Sequence, residues 1–156
     1  MGAFPVESVA MLSRIAQTVE VTRRHVAVKD MFAGIDLTGK IRPMHLVLVG
    51  IEASLDYLKP AAVFTHTVDG SSARRLAAFH LPVWTVALCS DSKTEQDLLF
   101  SSGVVPVRAS TETTSWTTYV QNYTRQHQLP GEFAILIHGP GADNVGSNHR
   151  MEIIDL

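Results

Sequence analysis

The residues best suited to ligand chemistry lie in one short turn, between an apolar run and a segment with helical character. The turn reads Thr67, Val68, Asp69, Gly70, Ser71 and Ser72. Hydroxyl donors beside the free amides of a helix N-terminus favour an anion such as phosphate, and a glycine lets the backbone approach it closely. The alternative is an ordinary strand-to-helix turn in which glycine and serine serve as turn and cap residues. Asp69 counts against phosphate, because its carboxylate would repel the ligand.

A second candidate loop follows the apolar segment at residues 133–137. It contains Gly139, Gly141, Gly146 and Ser147 among small polar residues. We expect this loop to close over a ligand beside the first turn, or else to be a glycine-rich connection between two edge strands. Neither loop is a phosphate-binding P-loop or a dinucleotide-binding fingerprint, because the glycine spacing and the following helix are missing.

The remaining reactive side chains are scattered. The seven histidines form no His-Glu-x-x-His pair. His66 and His138 both fall at predicted strand ends and so can approach each other, but a metal site would need a third ligand. We therefore predict no metal site and no catalytic residue. Cys89 is expected to be a buried, inert thiol, and Trp84 is predicted to lie in the core.

Hydrophobic periodicity indicates the elements that must position these residues. Helices are predicted at residues 5–24 and 43–58. Further along, short apolar runs alternate with helical segments. The strands are predicted at 61–66, 83–88, 104–107, 133–137 and 151–156, and the helices at 71–80, 92–102 and 113–127. This alternation is typical of an α/β protein with a parallel sheet between helices. The last two strands are close enough in sequence to form an antiparallel edge.

Composition excludes several function classes. The 156 residues carry a formal net charge of −2 with 46% hydrophobic and 18% charged residues. No basic stripe appears, so we expect no nucleic-acid partner. No run approaches the roughly 18 apolar residues that span a bilayer, and the N-terminus lacks a secretory pattern. The single cysteine excludes an intrachain disulfide. We expect a cytoplasmic protein without a membrane partner.

Ordered motifs along the whole chain resemble pyruvate kinases. Residues 2–9 are similar to the family's Gly-x-(Tyr/Phe)-Pro-x-Glu-x-Val segment, and residues 67–73 to its Thr-x-Ser-Gly-x-(Ser/Thr)-Ala turn. Residues 81–94 and 103–107 resemble its Pro-(Val/Ile)-x-x-x-Val and Gly-(Val/Ile)-x-Pro-(Val/Ile) segments, and residues 145–148 its closing Pro-Gly-(Ser/Thr) loop. Each motif is weak alone, whereas the ordered set is specific.

The resemblance implies a domain organisation. Residues 1–29 would correspond to the last helix of the family's catalytic (β/α)8 barrel plus a linker. Residues 30–156 would form a domain like the family's C-terminal one. That domain is a three-layer α/β/α sandwich with a mostly parallel sheet of about five strands.

The same resemblance implies a regulatory and oligomerisation role. The implied effector site comprises Thr67 to Ser72 and the loop at residues 139–147, and the implied ligand is a sugar phosphate or another anionic metabolite. Asp69 stands where the family often has serine, which makes a phosphate ligand doubtful. The implied partners are further copies of the chain and a separate catalytic chain.

Catalysis is not expected from this chain alone. The magnesium and potassium of the family belong to the barrel, and no cofactor is predicted here. The alternative is a stand-alone small-molecule-binding protein, or a hydrolase-type enzyme on the same scaffold that uses Ser71, His138 and Asp143.

Overall fold

Strands and helices alternate through the computed structural model, which describes residues 4–22, 43–110, 115–139 and 148–156. The helices in this part are α1 (Pro5–Thr22), α2 (Pro43–Leu58), α3 (Ser71–Ala78), α4 (Ser92–Leu98) and α5 (Trp116–Gln126). The strands are β1 (Val63–Thr67), β2 (Thr85–Cys89), β3 (Val104–Arg108), β4 (Phe133–His138) and β5 (Arg150–Asp155). Every predicted element is present, with ends shifted by a few residues. The predicted linker between α1 and α2 lies outside the described residues.

The five strands form one sheet in the order β3-β2-β1-β4-β5. β1 pairs in parallel with β2 and with β4, and β2 pairs in parallel with β3. β5 runs antiparallel to β4, with His138 opposite Arg150 and Phe133 opposite Asp155. The predicted α/β class, the mostly parallel five-stranded sheet and its antiparallel edge are therefore confirmed.

Helices cover both faces of the sheet, because alternate residues of each strand point to opposite sides. One face, called here the α5 side, packs Phe64, Leu88, Leu136 and Ile154 against Val120 of α5. The opposite face, called the α2 side, packs Val63, Ile135 and Ile137 against α2 and α3, and Ala87 and Cys89 against α3 and α4. The predicted three-layer sandwich is confirmed.

The second helix follows its sequence signals at both ends. It begins at Pro43, where the first turn needs no amide donor, and it stops at Leu58 before Lys59 and Pro60. Leu48, Ile51 and Leu55 form its buried stripe. Its other face is more open, with Leu46 62% exposed. The sequence of this helix is apolar almost all round, which predicts burial on every side, and that prediction is wrong for the face of Leu46.

Trp84 is the clearest error of the core prediction. Its side chain is 60% exposed. β2 begins one residue later, at Thr85, so Trp84 lies at the amino edge of the sheet. Its carbonyl accepts a hydrogen bond from the Val63 amide at 2.9 Å.

The first helix exposes most of its apolar side chains. Seven of them are between 53% and 75% exposed, namely Phe4 just before the helix and Val6, Val9, Met11, Leu12, Ile15 and Val19 within it. Sequence analysis predicts a broad apolar stripe that needs a packing partner, and the described part of the chain does not supply one. No helix of the described residues is long and apolar enough to cross a bilayer.

Candidate functional site

The carboxyl ends of the four parallel strands meet at one edge of the sheet. From β1 the chain proceeds outward through β2 to β3, and it then returns to place β4 on the other flank of β1. This reversal creates a crevice at the ends of β1 and β4, which is where open α/β sheets bind ligands. The turn after β1 and the loop after β4 leave the sheet at this crevice. The structure thus brings together the starts of both candidate loops.

The turn after β1 leads directly into α3. Thr67 is 3% exposed, and Gly70, with a φ of 77°, is the last residue before the helix. The Val68 carbonyl accepts a hydrogen bond from Thr94 Oγ1 at 2.8 Å. The six predicted residues from Thr67 to Ser72 therefore form one turn tied to the next loop of the crevice.

Asp69 occupies the end of α3 that an anionic ligand would need. Its Oδ1 accepts a hydrogen bond from the Ser71 amide at 2.9 Å. The Arg74 guanidinium folds back and donates to the Asp69 carbonyl oxygen at 2.9 Å. The hydrogen bond from the Ser71 amide lowers the pKa of Asp69 most, and the hydrogen bond from the Ser71 side chain lowers it next. The charge of Arg74 makes a smaller contribution in the same direction. Asp69 is therefore ionised at neutral pH, and the protein's own carboxylate engages the first amide of α3.

The neighbouring turn, after β2, is organised in a similar way. Asp91 caps α4 and accepts a hydrogen bond from the Thr94 amide at 2.9 Å. This bond and a second one from the Thr94 side chain lower the pKa of Asp91. Thr94 Oγ1 lies 2.9 Å from Asp91 Oδ2 and 2.8 Å from the Val68 carbonyl. Because a hydroxyl carries one hydrogen, the two acceptors share it, which couples the two turns.

A second group of polar side chains lies at the same edge on the α5 side. His66 Nε2 lies 3.3 Å from Ser90 Oγ, and the His66 ring lies against the indole of Trp116, with centroids 4.8 Å apart. His138 Nε2 lies 4.0 Å from the Glu152 carboxylate. Burial lowers the pKa of His138, and the charge of Glu152 opposes that shift.

Unsatisfied polar atoms concentrate at this edge. Among the described residues, three buried side-chain atoms have no hydrogen-bond partner, namely Thr67 Oγ1, His138 Nε2 and His149 Nδ1. Thr67 ends β1, His138 ends β4, and His149 precedes β5. Since buried polar groups are normally paired, such atoms mark positions where a further group can bind.

The structure describes only some of the other predicted site residues. Gly139 follows β4 and is approached by the His149 ring. Gly141, Gly146 and Ser147, and Asp143 of the hydrolase alternative, lie outside the described residues. Ser71 begins α3 on the α2 side, whereas the His138 side chain faces the α5 side. The sheet therefore separates two members of the triad that the hydrolase alternative requires.

Sequence analysis missed Ser90, Arg150 and Glu152. Ser90 directly follows β2 and Arg150 begins β5. Glu152 shares a face with Arg150, because residues two apart on a strand point the same way. Cys89 matches its prediction, since it is buried and desolvation raises the pKa of its thiol to about 11. Within the described ranges, no three His, Cys, Asp or Glu side chains converge as a metal site requires.

Comparisons with known proteins agree on one family. The chain is 29% identical over 127 residues to the pyruvate kinase of Agrobacterium vitis, which is 81% of this chain and 25% of that protein. It is also 29% identical over 107 residues to the pyruvate kinase of Thermococcus litoralis, covering 68% of this chain and 22% of the relative. No protein-family profile matches.

The chain is similar to pyruvate kinases along most of its length.

Solved pyruvate kinase structures share the fold along nearly the whole chain. A Cryptosporidium parvum pyruvate kinase in complex with ADP superimposes with a TM-score of 0.75 at 19% identity, over 99% of this chain and 31% of the other. A second structure of pyruvate kinase from that organism gives a TM-score of 0.77 at 18% identity, over 99% and 30%. The chain thus spans about a quarter of the curated pyruvate kinases it matches, and it is consistent with a C-terminal domain.

Proposed function

We propose that these residues form the non-catalytic, C-terminal type of domain of a pyruvate kinase-type protein, with roles in regulation and assembly in the cytoplasm. The whole of the chain corresponds to less than a third of the related structures. Phosphoryl transfer depends on metal ions and positioning groups, and the resemblance assigns these to the barrel. The domain is therefore inactive without a barrel.

The exposed surface of α1 carries the assembly part of this proposal. Six apolar side chains of α1, and Phe4 just before it, are each more than half exposed. Helices in proteins gain most of their stability by packing an apolar face against a partner. Exposed apolar surface of this extent is typical of an interface. In a pyruvate kinase-type protein α1 docks onto the catalytic barrel, on the same chain or a separate one. Without a barrel, the same surface drives homo-oligomerisation.

The regulatory part depends on the crevice at the carboxyl edge. An anionic metabolite, such as a sugar phosphate, is the ligand class that the resemblance implies. The three unpartnered polar atoms at the ends of β1 and β4 and before β5 support a ligand at this edge. The crevice contributes binding groups only, and no magnesium or potassium enters the proposal for this chain.

Light scattering after size-exclusion chromatography tests the assembly part. The wild-type chain should elute as a dimer or larger at concentrations of about 100 μM. Val9→Asp and Ile15→Asp place a charge on the apolar surface and should give monomers that still unfold cooperatively. Ser13→Asp adds the same charge at a polar, exposed position of α1 and should remain associated.

Two results would contradict the proposal. The first is a wild-type chain that is monomeric at every concentration and does not bind a separately produced pyruvate kinase barrel. The α1 surface would then not be an interface. Pyruvate kinase activity of the chain alone, in an assay that follows pyruvate formation, would show that the barrel is dispensable.

A further inference from the structure

We propose that an oxyanion, either a carboxylate or a phosphate, binds on the α5 side of the crevice between His66 and His138, and not at the turn from Thr67 to Ser72. This inference rests on the proposed regulatory function and identifies the groups that recognise the ligand. It places the site on the opposite face of the sheet from α3.

The strand register aligns the proposed binding groups. β1 and β4 pair in parallel up to Thr65 opposite Ile137, so the next level brings His66 beside His138. His138 in turn lies opposite Arg150 of β5. Each of these three residues lies two or four positions along its own strand from Phe64, Leu136 or Ile154, which pack on the α5 side. Their side chains therefore point to that same face. Adjacent strands are about 4.8 Å apart. Two imidazoles and a guanidinium therefore follow one another across about 10 Å of the crevice.

The hydrogen bonds of the two histidines indicate that a ligand could pair with His138. His66 already has a fixed orientation, because Nε2 contacts Ser90 Oγ at 3.3 Å and the ring packs on Trp116. His138 Nε2 is buried and has no hydrogen-bond partner. A protonated imidazole nitrogen is a donor. An oxyanion at this position would accept from His138 and remove the cost of the unpaired buried nitrogen.

The charges around His138 determine the preferred ligand. Arg150 of β5 pairs with Glu152 of the same strand, and the Glu152 carboxylate is 4.0 Å from His138 Nε2. His66 faces the crevice from β1. From α5, Trp116 contacts His66, and Tyr119 behind it stays uncharged at neutral pH because burial raises its pKa. The net charge of these side chains is zero while both histidines are neutral, because Arg150 and Glu152 cancel. It becomes positive when the histidines take up protons.

The ligand should therefore bind together with a proton. Burial lowers the pKa of His138 in the free protein, and a neighbouring anion shifts that pKa upward because opposite charge favours the protonated form. By linkage, affinity for the anion rises as the pH falls. One proton taken up per ligand changes the affinity by at most tenfold per pH unit.

The turn before α3 is a poorer anion site because Asp69 places a negative charge at the helix N-terminus. The carboxylate engages the Ser71 amide, and Arg74 is bound to the Asp69 carbonyl oxygen. An incoming phosphate would have to displace a charge of its own sign. On the α5 side, the carboxylate of the described residues that lies near His138 is Glu152, and Arg150 pairs with it.

Isothermal titration of the whole chain with inorganic phosphate, pyrophosphate and malonate, at about pH 6 and pH 8, tests the proposal. Wild-type protein should bind at least one probe, about tenfold more tightly at the lower pH. Preference for malonate indicates a carboxylate ligand, and preference for phosphate or pyrophosphate a phosphorylated one. His66→Gln and His138→Gln should each weaken binding about tenfold, and the second should flatten the pH dependence. Glu152→Gln should tighten binding, a gain that loss of folding cannot imitate.

Asp69→Asn and Ser72→Ala are the matched controls for the other face and should leave the affinity unchanged. Three outcomes overturn the inference. The first is that no probe binds at the lower pH. The second is that neither histidine variant weakens binding. The third is that Asp69→Asn strengthens binding and Ser72→Ala abolishes it. These outcomes are separable from the proposed function, because self-association through α1 is measured by light scattering on the same proteins without ligand.

Discussion

Replacing Gly131 with alanine should loosen the junction between β1 and β4, on which the crevice depends. Gly131 precedes β4 and has a φ of 140°, a backbone conformation almost restricted to glycine. A Cβ at this position would lie 2.8 Å from the Ala61 nitrogen and 3.0 Å from the Ala61 Cα. Both neighbours are backbone atoms, so they cannot rotate away. The Ala61 amide also donates to the Phe133 carbonyl at 2.8 Å, and this bond would be strained as well.

The expected loss of stability follows from these two effects. Alanine in this conformation costs about 1–3 kcal/mol, and weakening one backbone hydrogen bond costs about 0.5–1.5 kcal/mol. The free energy of unfolding should therefore fall by roughly 2–4 kcal/mol, which is a large part of the 5–15 kcal/mol typical of a domain. For a chain of this length, the melting temperature should drop by roughly 5–15 °C.

Gly103→Ala is the matched control for this substitution. Gly103 also has a positive φ, of 72°, but a Cβ there meets nothing within 4 Å. Its alanine variant should lose only the cost of the left-handed conformation, about 1–2 kcal/mol. Urea unfolding followed by circular dichroism compares the two variants. If Gly131→Ala is no more destabilising than Gly103→Ala, the close approach of β4 to Ala61 is refuted, and with it the register that places His66 beside His138.

Two further predictions concern titratable groups in the sheet. Burial lowers the pKa of His138 below the ordinary value of 6.5, so the unfolded chain protonates first as the pH falls. Its contribution to stability is complete above about pH 6.5 and decreases as the pH drops through the folded-state pKa. The melting temperature of His138→Gln should depend less on pH between about pH 7 and pH 5, and an unchanged slope would contradict the assignment. For Cys89, a thiol pKa of about 11 instead of 9.0 leaves about 100-fold less thiolate at pH 8. Ellman's reagent should react at least about 100-fold more slowly with the native than with the denatured chain, and comparable rates would show that the thiol is accessible.

The elements were predictable because their signals are local. Pro43 and the Lys59-Pro60 pair delimit α2, and Asp91, a residue type that favours the N-cap position, caps α4. Trp84 was misplaced because its apolar character predicts burial, whereas its exposure depends on which elements pack at the edge of the sheet before β2. That information is absent from the neighbouring residues.

The candidate site was predictable only in outline. Two loops at the ends of β1 and β4 could be expected to meet, because parallel strands end at a common edge. The pairing of His66 with Ser90, and the alignment of His138 with Arg150, depend on strand order and register. The hydrogen bond from the Ser71 amide to Asp69 also changes which ligands the turn is expected to bind. From sequence Asp69 is a charge beside a phosphate site, whereas in the structure it occupies the helix end itself.

A ligand can shift a conformational equilibrium only through groups with which it interacts differently in the two states. In the free domain such groups should be those left without partners. Among the described residues, the buried unpartnered side-chain atoms belong to Thr67, His138 and His149, and all three lie at the carboxyl edge around β1, β4 and β5. Thr67 is 3% exposed, and hydrogen bonds from Ser71 to Asp69 and from Thr94 to Val68 fix the turn that follows it. His138 faces the side of the sheet on which α5 packs. The α5 side is therefore the face on which a ligand gains most and displaces least.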